Sequence, residues 1–237
     1  MYTPCVGDNI KSENNKPFNK TIYKSAIGML IYLSRCSRPD IAFAVNKASR
    51  NSEEPTVSNW KKVIHILQYL NTTKNYKIKY DGKGEILGYT DADFAGDVKD
   101  RKSTSGHIIL FGNSLICWYS KKQSIVASSS CEAEYISTSE CIKKVLSIRN
   151  ILEELIRFNR SIKIFTDNLA SKINIENGNV NSKLKHIQIK FHIDRDYIEK
   201  KFVKLLYIDT NNMLADILTK NSNGNKITNF ANKVFIK

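Results

Sequence analysis

The spacing of the apolar residues changes near Tyr76, and this change limits the folds that the chain can adopt. Before Tyr76, apolar residues recur every three or four positions, for example at Trp60, Val63, Ile64, Leu67 and Leu70. That spacing lines one face of a helix. After Tyr76, short alternating or apolar runs are bounded by turn residues, which is typical of strands. The sequence therefore predicts a helical block followed by a sheet.

The predicted elements after Tyr76 follow the order strand, strand, strand, helix, strand, helix, helix, strand, helix. Residues 85–93 form the first strand, and residues 103–120 read as a hairpin that turns at Gly112-Asn113. The long helix runs from about Cys131 to Arg157. Strands that begin in a hairpin and then alternate with helices predict an α/β fold with a mixed five-stranded sheet and flanking helices.

Charge and composition limit the classes of protein to which the chain can belong. Of the 237 residues 41% are hydrophobic, so the chain can bury a core, and the net charge of +14 suggests a polyanionic partner such as nucleic acid. A lysine-rich genome bias explains the same charge. The five cysteines are odd in number and irregularly spaced, which argues against a disulfide framework and a zinc site and favours an intracellular protein. We expect neither a signal peptide nor a membrane span.

Four acidic residues lie at the predicted ends or starts of elements. Asp91 and Asp167 each end a strand, Glu132 lies in the first turn of the long helix, and Asp216 lies in the last predicted helix. Strand ends gather at one edge of an α/β sheet, so these carboxylates can converge there and bind Mg²⁺ or Mn²⁺. Two such ions, roughly 3.5–4 Å apart, clamp a phosphodiester during hydrolysis. Taken singly, each acid is also explained as a turn former, a helix-dipole residue or a surface residue.

Longer segments carry a resemblance to a known family. They are YTDADFAGD (89–97), RKSTSGHIILFG (101–112), ICWYSKKQSIVASSSCEAEYIS (116–137), IFTDN (164–168), KHIQIKFH (185–192) and LADILTK (214–220). In this order they resemble the ribonuclease H domain at the C-terminus of copia-type retrotransposon Pol polyproteins. Residues 22–49 and 59–80 resemble the last part of the reverse transcriptase that precedes that domain.

The resemblance implies a division of the chain and an activity. By its composition, the segment 1–20 is expected to be a polar, mobile lead. The resemblance makes 21–76 a helical C-terminal remnant of a reverse transcriptase and 77–222 a ribonuclease H domain, which leaves 223–237 as a tail. The implied fold is ribonuclease H-like. The implied activity is metal-dependent hydrolysis of the RNA strand of RNA–DNA hybrids with two Mg²⁺ ions, Mn²⁺ being possible. Polymerase activity is not expected, since the fingers and palm have no counterpart in the sequence.

The resemblance also implies roles for particular residues. The catalytic and metal-binding acids are Asp91, Glu132, Asp167 and Asp216. Asp93 is the chief rival of Asp91, and Glu134 is expected to point away from Glu132 on the helix. Residues expected to contact nucleic acid are Lys102, Ser103, Ser105, Lys121, Lys122, Asn168, Lys185 and His186. For any single lysine, a solvated surface role is the alternative.

Two other functions stay open at this point. One is a truncated nucleic-acid-binding remnant without catalysis, and the other is a connection module that acts only within a larger reverse transcriptase. The expected partners are an RNA–DNA hybrid and the remainder of a polyprotein, with no membrane. The expected compartment is the cytoplasm, within a virus-like particle, or the nucleus.

Overall fold

The computed structural model describes residues 3–5, 16–81, 84–177 and 188–236. Most of the predicted polar lead lies outside these residues, as do Lys185 and His186. Within the described part of the chain, no helix is long and apolar enough to cross a bilayer.

The first part of the chain is the predicted helical block. Its helices are α1 (Lys20–Cys36), α2 (Ala42–Ser49) and α3 (Val57–Thr72), with a 3-10 turn at Pro39–Ile41 before α2. Thr56 begins α3 with a capping box, in which its hydroxyl accepts from the backbone N–H of Asn59 while the Asn59 side chain accepts from that of Thr56. Local sequence thus fixes where α3 starts.

A buried ion pair holds this block together. Arg38 donates to both carboxylate oxygens of Asp40, at 3.0 and 2.7 Å, and to the hydroxyl and the carbonyl of Thr73. The Tyr69 hydroxyl donates to Asp40 Oδ2 at 2.8 Å. Because each buried charge has several partners, the pair ties the end of α1 to the end of α3.

The second part of the chain forms the predicted mixed sheet. Its strands are β2 (Ile86–Ala92), β3 (Thr104–Phe111), β4 (Ser114–Lys122), β5 (Ile162–Thr166) and β6 (Val203–Tyr207). Their order is β4-β3-β2-β5-β6, with β2, β3 and β4 antiparallel and β5 parallel to both β2 and β6. The hairpin turns at Gly112, whose φ of 59° suits glycine. The ribonuclease H-like fold class is therefore confirmed.

One face of the sheet is covered by the long helix α4 (Ser130–Ile156), with α5 (Leu169–Asn177) and α6 (Gln188–Glu199) beside it. Gly88 allows the close approach, since a Cβ there would lie 3.1 Å from Ile164 and 3.4 Å from the Cys141 sulfur. A Cβ at this position would already touch Cys141 and Val145 of α4, so longer side chains have no room between the helix and the central strand.

The other face of the sheet differs from the prediction. Where one closing helix was expected, a 3-10 turn at Leu214–Leu218 packs on β2 and β3. The predicted tail instead contains helix α7 (Gly224–Val234) and strand β7 (Phe235–Ile236), which pairs with β1 (Lys77–Ile78). Apolar residues of α7 at helical spacing explain the difference, because they enter the core that the helical block shares with the sheet; they are Ile227, Phe230, Ala231 and Val234.

Candidate metal centre

Asp91 lies near the end of the central strand β2, with its side chain 2% exposed. The carboxylate lies on the face opposite α4, where the Thr219 hydroxyl donates to its Oδ2. Behind it, the Ser137 hydroxyl of α4 donates to the Asp91 carbonyl oxygen at 2.8 Å. Strand and helix together therefore fix the position of this acid.

Asp167 and Asp216 meet Asp91 at the same edge of the sheet. Asp167 directly follows β5, which is parallel to β2, so the two strands end side by side. Asp216 is fully buried in the turn Leu214–Leu218. Among the described residues these three acids form a group in which one carboxylate oxygen of each lies within 4.8 Å of the others. The structure thus brings together three of the four predicted acids.

Glu132 does not join this group, which corrects the expected set. Its carboxylate accepts from the Ser128 backbone N–H at 2.7 Å and from the Ser128 hydroxyl at 2.5 Å, while its own N–H donates to Ser129 Oγ. The side chain therefore folds back over the start of α4 as a helix cap.

Glu134 is the glutamate that lies close to Asp91 and Asp167. Its pKa is raised by burial and by the charges of Asp91 and Asp167, and its carboxylate accepts from the Ala92 backbone N–H. Two residues on a helix point about 200° apart, so only one of Glu132 and Glu134 can face this edge. The sequence alone carried no signal for this choice, because only the packing of α4 shows that Ser137, about one turn after Glu134, meets the sheet.

Two lysines neutralise part of this negative charge. Lys220 Nζ lies 2.6 Å from Asp216 Oδ1 and 3.8 Å from Asp91 Oδ2. Lys226 contacts the other oxygen of Asp216. Although burial alone lowers it, the charges of Asp91 and Asp216 raise the pKa of Lys220, so the ammonium form is favoured. Each lysine thus balances negative charge on a carboxylate, as a bound divalent cation would.

Asp93, the rival of Asp91, faces elsewhere. Its carboxylate accepts from the Thr104 backbone N–H, and a Cβ on Gly96 would clash with it. Burial raises the pKa of Asp93 to about 6. It lies outside the three-acid group found among the described residues.

We expect protonation of Asp91 to stabilise the metal-free protein. Burial first, and then the charge of Asp216, raise its pKa to about 7, against the opposing charge of Lys220. The unfolded aspartate titrates near ~4. Between about pH 4 and 7 the folded chain therefore binds more protons than the unfolded chain, and the free energy of unfolding falls as the pH rises.

Denaturant unfolding in EDTA at several pH values, for the wild type and Asp91→Asn, measures this contribution. The free energy of unfolding of the wild type should fall relative to that of the variant from about pH 4 to 7. Subtracting the two curves removes the contribution of groups that both proteins share, such as His107, whose pKa is lowered to about 4 by burial. A difference that does not change with pH would contradict the expectation.

The donors present suit a hard divalent cation. The grouped atoms are carboxylate oxygens, which favour Mg²⁺ or Mn²⁺ over softer metals. Glu134 Oε2 is buried and has no hydrogen-bond partner within the described part of the chain. A buried carboxylate oxygen without a partner is costly, and a bound cation would remove that cost.

Two of the predicted nucleic-acid contacts are buried, which corrects that part of the prediction. Ser103 and Ser105 are 0% and 1% exposed. The Ser103 hydroxyl accepts from the Ala95 N–H at 3.1 Å, and the Ser105 hydroxyl accepts from the Gln123 side chain at 2.9 Å. These hydroxyls stabilise the chain where β2 ends and β3 begins, and they are too buried to contact a phosphate.

The other predicted contacts that the structure describes lie at or near the surface. Lys121 is exposed and Lys102 is partly exposed. Lys122 pairs with Asp97 and Asp100, at 3.1 and 2.8 Å. Asn168 accepts from the Ser171 backbone N–H at 2.8 Å, at the start of α5.

Several known proteins are similar to this chain in sequence. No protein-family model matches the chain. It is 39% identical over 202 residues to the retrovirus-related Pol polyprotein from transposon TNT 1-94 of Nicotiana tabacum, a match that covers 85% of this chain and 15% of the relative. It is 38% identical over 218 residues to the retrovirus-related Pol polyprotein from transposon RE1 of Arabidopsis thaliana. This second match covers 90% of this chain and 15% of the relative. The chain thus spans about 15% of the length of these relatives.

Among solved structures, the crystal structure of LC11-RNase H1 in complex with RNA/DNA hybrid is similar to this chain with a TM-score of 0.44 and 14% identity. The match covers 57% of this chain and 94% of that one.

Proposed function

The chain belongs to the family of copia-type retrotransposon Pol polyproteins, and from this premise we propose that it is a metal-dependent endonuclease that hydrolyses the RNA strand of RNA–DNA hybrids. The observation that carries the proposal is the convergence of Asp91, Asp167 and Asp216 at one edge of the sheet, with Glu134 close to the first two. Carboxylates that converge repel one another, and this cost is offset when divalent cations bind them, which supports a hydrolase that uses such cations.

The residues that would hold the cations are Asp91, Glu134, Asp167 and Asp216. The chemistry that two Mg²⁺ ions would supply there is activation of a water molecule and stabilisation of the charge on the phosphodiester. The chain contributes positioning: Thr219 orients the Asp91 carboxylate, and Thr210 donates to Asp167 Oδ2 at 2.8 Å. Lys220, with its side chain 42% exposed, lies where its ammonium group can turn from Asp216 toward a substrate phosphate.

The charge of the chain supports a polyanionic substrate. The net charge of +14 attracts nucleic acid through its phosphates, without regard to base sequence. A hybrid is distinguished from DNA by its 2′-hydroxyls and groove shape. We further propose that the protein acts with the remainder of a Pol polyprotein during replication of the element.

Incubation of the chain with end-labelled RNA–DNA hybrid, duplex RNA and duplex DNA tests the proposal. We expect Mg²⁺-dependent cleavage of the RNA strand of the hybrid alone, and its loss in EDTA. Hybrid binding without cleavage in Mg²⁺ or Mn²⁺, by protein with the circular dichroism of a folded α/β chain, would instead identify a non-catalytic binding remnant.

A further inference from the structure

We propose that the groove between the helical block and strand β4 is a second binding site, which takes the phosphodiester backbone of the hybrid beyond the reacting phosphate. This inference rests on the proposed function for the identity of the nucleic acid. The groove has a volume of about 570 Å³. Its lining includes the polar residues Ser34, Arg35, Asn46, Ser49, Ser120 and Lys121, and the remaining lining residues are aliphatic or aromatic.

Both walls of the groove are fixed by direct contacts. Trp118 Nε1 on β4 donates to the Ser34 carbonyl oxygen of α1 at 2.6 Å. Asn46 Nδ2 on α2 lies 3.3 Å from Ser120 Oγ. Arg50, just after α2, pairs with Asp97 beside the sheet at 2.8 Å. The groove is therefore preformed, and little conformational entropy is lost when a ligand enters.

Positive charge in the groove is left without an acidic partner. Arg35 and Lys121 are both exposed, and in the part of the chain that the structure describes neither forms an ion pair within 4.0 Å. The neighbouring Lys122 differs, because it turns inward to Asp97 and Asp100. Among the described residues, none of those that line the groove is acidic. Two cations beside amide and hydroxyl groups suit phosphate oxygens, which are contacted without reading base sequence.

The groove lies next to the acid group on the same face of the sheet. Asp91, Gly106 and Ser120 are aligned across three neighbouring strands, so their side-chain positions face the same way. Ser120 Oγ also donates to the Leu218 carbonyl at 2.6 Å, one residue before the Thr219 that holds Asp91. Two strand spacings amount to about 10 Å, or about three nucleotide steps at ~3.4 Å each. One hybrid can therefore reach both places at once.

The test removes both groove charges in the double variant Arg35→Gln/Lys121→Gln. Its control, Arg160→Gln/Lys204→Gln, removes the same charge from exposed positions on other parts of the surface. Hybrid binding is followed by fluorescence anisotropy between about 50 and 200 mM salt, with Ca²⁺ in place of Mg²⁺. Each lost phosphate contact makes the slope of log K against log salt shallower by about 0.9.

We expect the slope of the groove variant to be shallower than that of the wild type by about 1.8. Its affinity for the hybrid should therefore fall about tenfold less than the wild-type affinity between about 50 and 200 mM salt, while the control keeps the wild-type slope. A wild-type slope in the groove variant, or an equal change in the control, would overturn the groove site. Cleavage in Mg²⁺ is measured separately. If the slope changes as expected but the wild type cleaves no hybrid, the proposed nuclease activity is wrong and the groove site is still supported.

Discussion

Replacing Glu134 with Gln should abolish cleavage of the hybrid, whereas replacing Glu132 should not. Glu134 lies beside Asp91 and Asp167 and has a buried oxygen without a hydrogen-bond partner, while Glu132 accepts from Ser128 at the start of α4. Loss of one ligand to the catalytic ions removes several kcal/mol of transition-state stabilisation. We therefore expect the cleavage rate of Glu134→Gln to fall about a thousandfold, which corresponds to about 4 kcal/mol.

Glu132→Gln is the matched control, since it makes the same change two residues away in the same helix turn. It weakens a charge-assisted cap and should lower the free energy of unfolding by about 1 kcal/mol. Its cleavage rate in Mg²⁺ should stay within a few-fold of wild type. Single-turnover cleavage and urea unfolding of both variants measure the two effects. The assignment of Glu134 would be wrong if Glu132→Gln were the inactive variant.

Asp91→Asn should lose activity and gain stability. The carboxylate is buried against Asp167 and Asp216, so its charge destabilises the metal-free fold, and its removal relieves that repulsion. In EDTA at pH 7 the melting temperature should rise by a few degrees, while cleavage in Mg²⁺ falls about a thousandfold. Opposite signs for stability and activity separate a lost ligand from a damaged fold.

Asp93→Asn provides the control for this position. Asp93 accepts from the Thr104 N–H and lies outside the acid group, so its replacement should leave the cleavage rate within about tenfold of wild type. Single-turnover rates and thermal unfolding in EDTA for the two variants give the comparison. Full activity in Asp91→Asn would remove the central acid from the proposed mechanism.

The sequence predicted the sheet well because its signals are local. The short apolar run of β2, the glycine turn at Gly112 and the acids that follow the parallel strands are all signals within a few residues. Asp91 and Asp167 could be placed together because the carboxyl ends of parallel strands meet, whereas Asp216 was assigned through the resemblance to the family.

What the sequence did not place depends on contacts between distant segments. Glu132 and Glu134 are two residues apart, and only the packing of α4 on β2 decides which of them faces Asp91. Likewise, Ser103 and Ser105 look like surface donors until Ala95 and Gln123 are seen to bond them. Helix α7 was missed because its apolar stripe finds its partners in the helical block, far away in the chain.

The pairing of β7 with β1 has a consequence for how the chain can be divided. β1 joins the helical block to the sheet, and its partner comes from the last described residues, so this closing segment packs at the junction between the two parts. Phe230 and Phe235 from the end pack in one core with Tyr23 and Tyr69 from the beginning. The helical block, the sheet and the closing segment are thus coupled in a single cooperative folding unit, and cutting the nuclease out at its apparent boundaries would expose that common core to water.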